Sequence, residues 1–231
     1  MTDITNNLQA VRQRIAAAAA DCGRDPSAVK LLAVSKGQPV AAIRRAVGAG
    51  QRDFGENYLQ DAIAKINELA DPDLRWHFIG HLQSNKTREV AASFAWVHTV
   101  DSVRVARRLN DQRPPGAAPL NICLQVRIGD EATKFGVQPE QARELAAAIA
   151  PLGGVRLRGL MCIPPPAPDQ ATQRAQFARL RTLYEALRDD GFEMDTLSMG
   201  MSADLEAAIA EGATMVRVGT AIFGPREMSR G

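Results

Sequence analysis

The stretch LLAVSKGQP, Leu31 to Pro39, decides the fold because it shows the pattern of one structural unit. Four apolar residues in a row, rather than apolar and polar residues in alternation, are typical of a strand buried on both faces. The run stops at Gly37 and Pro39, and apolar residues then recur at helical spacing. The stretch therefore predicts a buried parallel strand followed by a helix.

The same unit recurs eight times along the chain. The β-rich runs are 30–35, 51–54, 75–79, 95–100, 120–128, 156–163, 196–199 and 214–218, and amphipathic helical patterns lie between them. A further helical pattern, with apolar residues at Ile4, Leu8, Val11 and Ile15, precedes them all. We predict an α/β fold, a (β/α)8 TIM barrel with an additional N-terminal helix. An open, doubly wound sheet is the alternative. We find no stretch long enough to act as a linker, so residues 1–231 are expected to form a single domain.

The composition argues against several classes of protein. The 28 basic and 26 acidic residues are interspersed, and we see no basic block that would predict nucleic-acid binding. Three widely spaced cysteines without a CxxC pair indicate free thiols in a reducing compartment. The three histidines lack the spacing of a metal site. We recognise neither a signal peptide nor a membrane span, so a cytoplasmic protein is expected.

Polar side chains collect where the predicted strands end, and in such barrels the active site is built at those ends. The first strand ends at Lys36. A long basic side chain can simply reach water from there. Alternatively, a lysine at the mouth of an apolar core is a nucleophile, because a partly buried site can lower its pKa. This stretch alone leaves both explanations open.

The last two loops, 198–202 and 219–221, contain the small and hydroxyl residues that often hold a phosphate after strands seven and eight of a barrel. Ser202 is a candidate N-cap for the following helix. Turn formation alone would also explain either loop.

Arg217 shares a strand face with Met215, so it is expected to point into the barrel mouth and to need an acceptor there. That acceptor is either an acidic residue, such as Glu56 or Asp204, or a ligand atom. Lysine, phosphate loops and arginine together suggest a phosphorylated aldehyde held by Lys36 as a Schiff base.

Six stretches carry a family likeness: LLAVSK (31–36), FGENYLQD (54–61), WHFIGHLQSNK (76–86), HTVDS (98–102), RGLMCIP (158–164) and LSMGMSADLEAAIAEGATMVRVGTAIFG (197–224). They resemble the pyridoxal 5'-phosphate (PLP) homeostasis proteins of the YggS/PROSC type. The resemblance implies a barrel of PLP fold type III, related to the N-terminal domain of alanine racemase, with PLP on Lys36 as an internal aldimine. It implies a cofactor-binding set of Lys36, Asn57, His77, Ser198, Met199, Ser202, Arg217, Gly219 and Thr220.

The roles in this set also follow from the resemblance. Asn57 would lie beside the cofactor, and His77 is on a strand whose end borders the ring. Ser198, Gly219 and Thr220 would surround the phosphate, with Met199 and Ser202 close by. Arg217 would face the pyridine nitrogen. A guanidinium cannot protonate that nitrogen, and an unprotonated ring is a poor electron sink.

The resemblance thus implies a PLP-binding protein that affects the balance of PLP, amino acids and keto acids, with no established catalytic turnover. Our hypothesis is that it acts as a PLP carrier or buffer. Apo PLP-dependent enzymes would be its partners, and a monomer is expected. The alternative is a fold type III amino-acid racemase with weak activity, for which Tyr58 or Tyr184 would have to supply a second base. A lysine aldolase acting on a phosphorylated sugar is a third hypothesis. Lys134, after the fifth predicted strand, is a candidate second aldehyde-reactive lysine.

Overall fold

Eight parallel strands form a closed barrel in a computed structural model that describes residues 2–129 and 135–225. Each strand pairs with its neighbour in the chain, and the last pairs with the first. The strands are β1 Lys30–Val34, β2 Asp53–Glu56, β3 Arg75–Phe78, β4 Trp96–Val100, β5 Leu120–Gln125, β6 Val155–Met161, β7 Thr196–Ser198 and β8 Met215–Val218. The predicted TIM barrel is confirmed, and the open sheet is wrong.

One α-helix follows each strand, and one precedes the barrel. In chain order these are α1 Ile4–Asp21, α2 Val40–Gly48, α3 Leu59–Leu69, α4 Thr87–Ser93, α5 Val103–Gln112, α6 Ala142–Ile149, α7 Gln170–Asp189, α8 Leu205–Ala210 and α9 Thr220–Phe223. In the described ranges, none of these helices is long and apolar enough to cross a membrane.

The predicted additional helix α1 closes the seam between the two ends of the barrel. Asp3 is the N-cap of this helix, and its side chain accepts a hydrogen bond from the backbone N–H of Asn6. The apolar face of α1 is buried and packs against α8, α9 and α2. Beyond its end, Arg24 donates to the carbonyl oxygens of Ile209 and Ala213. The first and last units of the barrel are therefore joined by one helix.

Strand parity places different side chains inside and outside the barrel wall. Val216 and Val218 belong to the large apolar core between the strands and the helices, whereas Met215 belongs to an interior cluster with Leu32, Val34 and Ile79. The interior also holds buried polar residues, which are unusual among the branched apolar layers of such barrels. They include His77, His98, Ser198 and Arg217.

All eight observed strands differ from the predicted runs by one to three residues at an end, and for two of them the structure shows the reason. The second begins at Asp53 rather than at Gln51 because the Gln51 amide side chain donates to the carbonyl oxygens of Leu31 and Asp53. The fifth ends at Gln125 rather than at residue 128, since beyond it the chain makes only an isolated bridge between Val126 and Val137.

Candidate functional site

A cavity of about 270 Å³ lies at the carboxyl ends of the strands, close to the lower end of the size range of small-molecule sites. Six of the nine predicted site residues line it: Lys36, Asn57, Ser202, Arg217, Gly219 and Thr220. Five further lining residues were not predicted: Val34, Ile79, Ile163, Met201 and Ala203. Met201 and Ala203 share a loop with Ser202, so the motif could have indicated them. The apolar residues carry no local signal that separates them from core positions.

The backbone just before Lys36 is held in place by hydrogen bonds on each side. The Ser35 N–H donates to the carbonyl of Gly55 at 3.0 Å, and its hydroxyl donates to Oε1 of Glu56 at 2.6 Å. The Ser35 carbonyl accepts from Nζ of Lys65 at 3.0 Å. Gly37 then turns the chain with a φ of 69°, a conformation that favours glycine. These contacts fix the point from which the Lys36 side chain starts.

Lys65 is the centre of a buried ion cluster behind the barrel wall. Its Nζ lies 2.8 Å from Oε1 of Glu56 and 2.7 Å from Oδ2 of Asp61. Glu56 is 0% exposed and Lys65 is 4% exposed. Burial raises the pKa of Glu56, and its ion pair with Lys65 acts in the opposite direction. Glu56 is therefore engaged by Lys65 and does not serve as the predicted acceptor for Arg217.

Arg217 donates to oxygen atoms of the barrel interior. Nη1 donates to the carbonyl and hydroxyl of Ser198 at 2.6 and 2.9 Å, and Nη2 donates to the carbonyl of Cys162 at 2.8 Å. Burial lowers the pKa of this guanidinium. The three hydrogen bonds use three of its five N–H groups. In the part of the chain that the structure describes, the predicted ion pairs of Arg217 with Glu56 or Asp204 are not formed.

The two loops after β7 and β8 meet at one side of the cavity. Ser202 and Ala203 precede α8, and Gly219 and Thr220 lie at the start of α9. The predicted N-cap at Ser202 is wrong, because α8 begins only at Leu205. Arg14 of α1 supports this side of the cavity: its guanidinium donates to the Ser202 carbonyl at 3.2 Å. The same guanidinium pairs with a carboxylate on α8 at 2.8 Å.

Asn57 brings an unsatisfied polar atom to the cavity. Its Oδ1 is buried and has no hydrogen-bond partner among the described residues. A buried amide oxygen without a donor is costly, so this atom is suited to accept from a ligand. Gly80 packs directly on this residue, since a Cβ added at Gly80 would lie 2.0 Å from the Asn57 carbonyl oxygen.

Three predicted site residues, His77, Ser198 and Met199, do not line the cavity, and their part in holding a cofactor stays a prediction. Met199 is buried in the core between the barrel and the helices, because it follows Ser198 on the opposite strand face. Ser198 points inward, but its hydroxyl is used by Arg217 and His98. His77 is buried deeper in the interior.

His77 connects the interior to the opposite end of the barrel. Its Nδ1 lies 3.0 Å from Nε2 of His98, and its Nε2 lies 3.1 Å from Oδ1 of Asp53. His98 Nδ1 lies 2.8 Å from the hydroxyl of Ser198. Burial lowers the pKa of both histidines. Burial acts to raise the pKa of Asp53, but hydrogen bonds from Arg75 and His77 outweigh it and hold that pKa well below its usual range.

Lys134, the candidate second aldehyde-reactive lysine, lies outside the described residues, so its proposed reactivity stays a prediction. Phe135, next to it, is exposed and stacks on the ring of His81 with a centroid distance of 3.7 Å. Within residues 2–129 and 135–225, no group of three or more His, Cys, Asp or Glu side chains is arranged to hold a metal ion.

The sequence is similar to that of several proteins of one kind. The family described as "Alanine racemase, N-terminal domain" matches residues 6–227. A "Pyridoxal phosphate homeostasis protein" of Pseudomonas aeruginosa is 57% identical over 227 residues, covering 98% of this chain and 97% of the relative. The protein of the same name from Escherichia coli K12 is 52% identical over 233 residues, covering 100% of both.

Solved structures give the same result at the level of the fold. PipY of Synechococcus elongatus, solved with PLP bound, is 42% identical and superposes with a TM-score of 0.84, covering 96% of this chain and 100% of that one. An alanine racemase from Corynebacterium glutamicum is 16% identical with a TM-score of 0.69, covering 97% of this chain and 63% of the racemase. The second likeness concerns the barrel alone.

Proposed function

Because this chain belongs to the pyridoxal phosphate homeostasis proteins, within the alanine racemase N-terminal domain family, we propose that it binds PLP in the cavity at the carboxyl ends of the strands. It acts in PLP homeostasis as a carrier or buffer, with effects on amino-acid and keto-acid balance. The observation that carries this proposal is the convergence of Lys36, Asn57, Arg217 and the two last loops on one cavity. A relative of 42% identity has been solved with PLP bound.

The residues present suit the chemical groups of PLP. When bound, PLP supplies an aldehyde that condenses with amines and a pyridine ring that can accept electrons. The amine of Lys36 would hold the aldehyde carbon covalently, and the unpartnered Oδ1 of Asn57 would accept a hydrogen bond. Ser202, Gly219 and Thr220 would hold the phosphate through hydroxyl and backbone N–H groups. His77, Ser198 and Met199 have no direct contact in this proposal.

Arg217 would determine how far the cofactor is activated. It is held by three hydrogen bonds in the interior and also lines the cavity, so it can direct a remaining N–H toward the ring nitrogen. Since it donates a hydrogen bond without giving up its proton, the ring stays a weak electron sink. This supports binding without efficient turnover.

The relatives are named as homeostasis proteins, and we propose that this chain has no catalytic turnover. A racemase needs two bases on opposite faces of the ligand. The hydroxyl of Tyr184 donates to the Met194 carbonyl at 2.9 Å, so Tyr184 has a structural role in helix packing. Tyr58 is 63% exposed and is not among the described residues that line the cavity. No observation favours the racemase or the aldolase over the carrier.

We further propose a single PLP-binding domain that works as a cytoplasmic monomer and passes PLP to apo PLP-dependent enzymes. Two of the side chains that line the cavity, Ile163 and Met201, are exposed to solvent, so the ligand would enter and leave on that side. Transfer from the loaded protein to an apo-enzyme should therefore be faster than release of free PLP into buffer followed by rebinding. Equal rates would count against delivery.

The decisive experiment is spectroscopic and chemical. The purified protein is mixed with PLP, its visible absorption is recorded, and borohydride reduction is followed by peptide mass mapping. We expect a visible band that reduction removes and a pyridoxyl group on Lys36. Lys36→Ala should lose both, whereas Lys30→Ala, an exposed lysine at the other end of β1, should keep both. A wild-type protein that gains no band and no adduct would refute the proposal.

A further inference from the structure

Five side chains from five strands form one continuous series of hydrogen bonds inside the barrel. We propose that this series, the interior relay of Asp53, His77, His98, Ser198 and Arg217, fixes the direction of the Arg217 guanidinium at the cavity. Its other four members are then positioning residues for the ligand, although none of them lines the cavity. The proposal rests on the proposed function, because PLP is the ligand that Arg217 would face.

Each link of the relay has only one permitted direction. Arg217 has donors and no acceptor, so the Ser198 hydroxyl oxygen must accept from it at 2.9 Å. That oxygen could accept a second hydrogen bond, so the direction of the other links is set from the Asp53 end. The Asp53 carboxylate can only accept, so His77, neutral in its buried site, carries its proton on Nε2 and donates to Asp53 at 3.1 Å. Nδ1 of His77 then accepts from Nε2 of the neutral His98 at 3.0 Å, and Nδ1 of His98 accepts from the Ser198 hydroxyl at 2.8 Å.

Burial and packing keep the two imidazoles in this arrangement. His77 and His98 are each 0% exposed, and burial lowers the pKa of both, so both rings are neutral at neutral pH. The ring of His77 also stacks on Trp96, with a centroid distance of 5.4 Å and an interplanar angle of 9°. A neutral ring with one fixed donor and one fixed acceptor transmits direction without carrying charge.

The far end of the relay is anchored by a carboxylate. Both oxygens of Asp53 accept from Arg75, from Nε and Nη2, at 2.7 Å each. At the near end, the described residues place no carboxylate within hydrogen-bond distance of Arg217, which is bonded instead to Ser198 and Cys162. A serine hydroxyl that gives away its own hydrogen is a better acceptor, because hydrogen bonds in a series polarise one another. The Asp53 charge thus strengthens the hold on Arg217 from the opposite end of the barrel.

The protonated nitrogens can be observed without any ligand. The chain has three histidines, so protein labelled with ¹⁵N-histidine gives three resolvable imidazole spin systems. We expect His77 and His98 to show a protonated Nε2 and an unprotonated Nδ1, while His81, exposed at the rim, provides a solvent-exposed reference. A proton on Nδ1 of His98 would reverse the link to Ser198 and overturn the relay.

Ligand binding tests the positioning role with a matched pair of variants. Asp53→Asn removes the anchoring charge, whereas Asp195→Asn removes another carboxylate that pairs with an arginine, Arg158, with Nε to Oδ1 at 3.0 Å. Asp195 has no hydrogen-bond link to Arg217 in the described structure. We expect Asp53→Asn to weaken PLP binding about threefold to tenfold, the effect of one hydrogen bond, and Asp195→Asn to change it less than twofold.

Ser198→Ala provides a second break in the relay, next to Arg217 and without loss of a charge. It should weaken PLP binding to a similar extent while the Lys36 adduct still forms. If both Asp53→Asn and Ser198→Ala bind PLP as tightly as Asp195→Asn, the positioning role is refuted. A wild-type protein that binds no PLP refutes the proposed function instead, and the imidazole tautomers, measured without PLP, then still confirm or overturn the relay.

Discussion

Lys65→Met is the substitution whose cost can be worked out most fully from the structure. The ammonium group of Lys65 contacts the carboxylates of Glu56 and Asp61 and the carbonyl of Ser35. Methionine keeps most of the volume of the side chain but removes the charge and all three hydrogen bonds. Glu56, which is fully buried, then loses the cation that balances the negative charge of its carboxylate.

The expected loss is large. Breaking a buried ion pair by removing one partner costs about 3–5 kcal/mol, out of a total unfolding free energy of about 5–15 kcal/mol. With a urea m-value of about 3 kcal/mol/M, the midpoint of unfolding should fall by about 1–1.7 M. The variant should therefore fold but be markedly less stable than the wild type.

The loss should depend on pH, because Glu56 can be neutralised by a proton. Burial raises the pKa of Glu56 and Lys65 opposes that rise, so the pKa should rise further in Lys65→Met. A carboxyl group with a raised pKa in the folded state binds its proton more tightly there than in the unfolded state. Its stabilisation is complete below the unfolded pKa and is lost as pH rises through the folded pKa. We therefore expect a greater loss at pH 8 than at pH 5.

The assay is equilibrium urea unfolding of the ligand-free protein at both pH values, followed by fluorescence of the two buried tryptophans. Lys65→Met/Glu56→Gln, which removes both charges, should recover at least half of the loss. Lys86→Met, a partly exposed lysine, should change stability by less than about 1 kcal/mol. A double variant as unstable as Lys65→Met, or an equal loss at both pH values, would refute this account of the cluster.

Three further predictions follow from contacts around the cavity and in the core. Gly80→Ala should lower the melting temperature by about 6–12 °C, equivalent to about 3 kcal/mol, because the new Cβ overlaps the carbonyl oxygen of Asn57. Arg14→Ala should weaken PLP binding about threefold in a spectroscopic titration, since the Ser202 carbonyl loses its donor. A thiol reagent at pH 8 should modify only Cys22 in the native protein, because burial raises the pKa of the other two thiols to about 12.

Each of these predictions has a matched control. Gly153→Ala, where a Cβ meets no atom within 4 Å, should leave the melting temperature nearly unchanged. Arg44→Ala, which removes an exposed arginine of α2 that pairs with Glu68 and does not line the cavity, should leave PLP affinity unchanged. Unfolding in denaturant should expose all three thiols to the reagent. Equal effects of the test and control variants, or more than one reactive thiol in the native protein, would contradict the contacts described.

The positions that follow strand ends could be predicted from the sequence because a closed parallel barrel brings those ends together. Lys36 and Thr220 are far apart in the chain, yet each lies two residues beyond the end of a recognisable strand, and both line the cavity. Strand parity likewise predicted that Arg217 points inward, as observed. These predictions needed only the order of the strands and the alternation of side chains.

The contacts across the barrel could not be predicted in the same way. The link between His98 and Ser198 joins residues 100 positions apart, and it depends on the relative height of two strands that do not pair directly. The sequence correctly places His77 on the third strand, and the resemblance therefore puts it near the ligand. It does not give the distance between His77 and the cavity along the barrel axis. Lys65 was missed for a related reason: a helical lysine is usually exposed, and only the packing of α3 on β2 reveals its buried partners.

The position of α1 has a consequence for synthesis on the ribosome. Asn7, on this helix, donates to the carbonyl of Ile222 on α9, a contact that spans 215 residues. At about 5–20 residues per second, the helix is made about 10–40 s before that partner exists. For most of this time only α2, of the three helices that cover it in the folded protein, has been made, so much of its apolar face, with Leu8 and Val11, stays uncovered. The nascent chain is therefore expected to depend on chaperones during this interval. The first helix can complete its native packing only after α8 and α9 have been made.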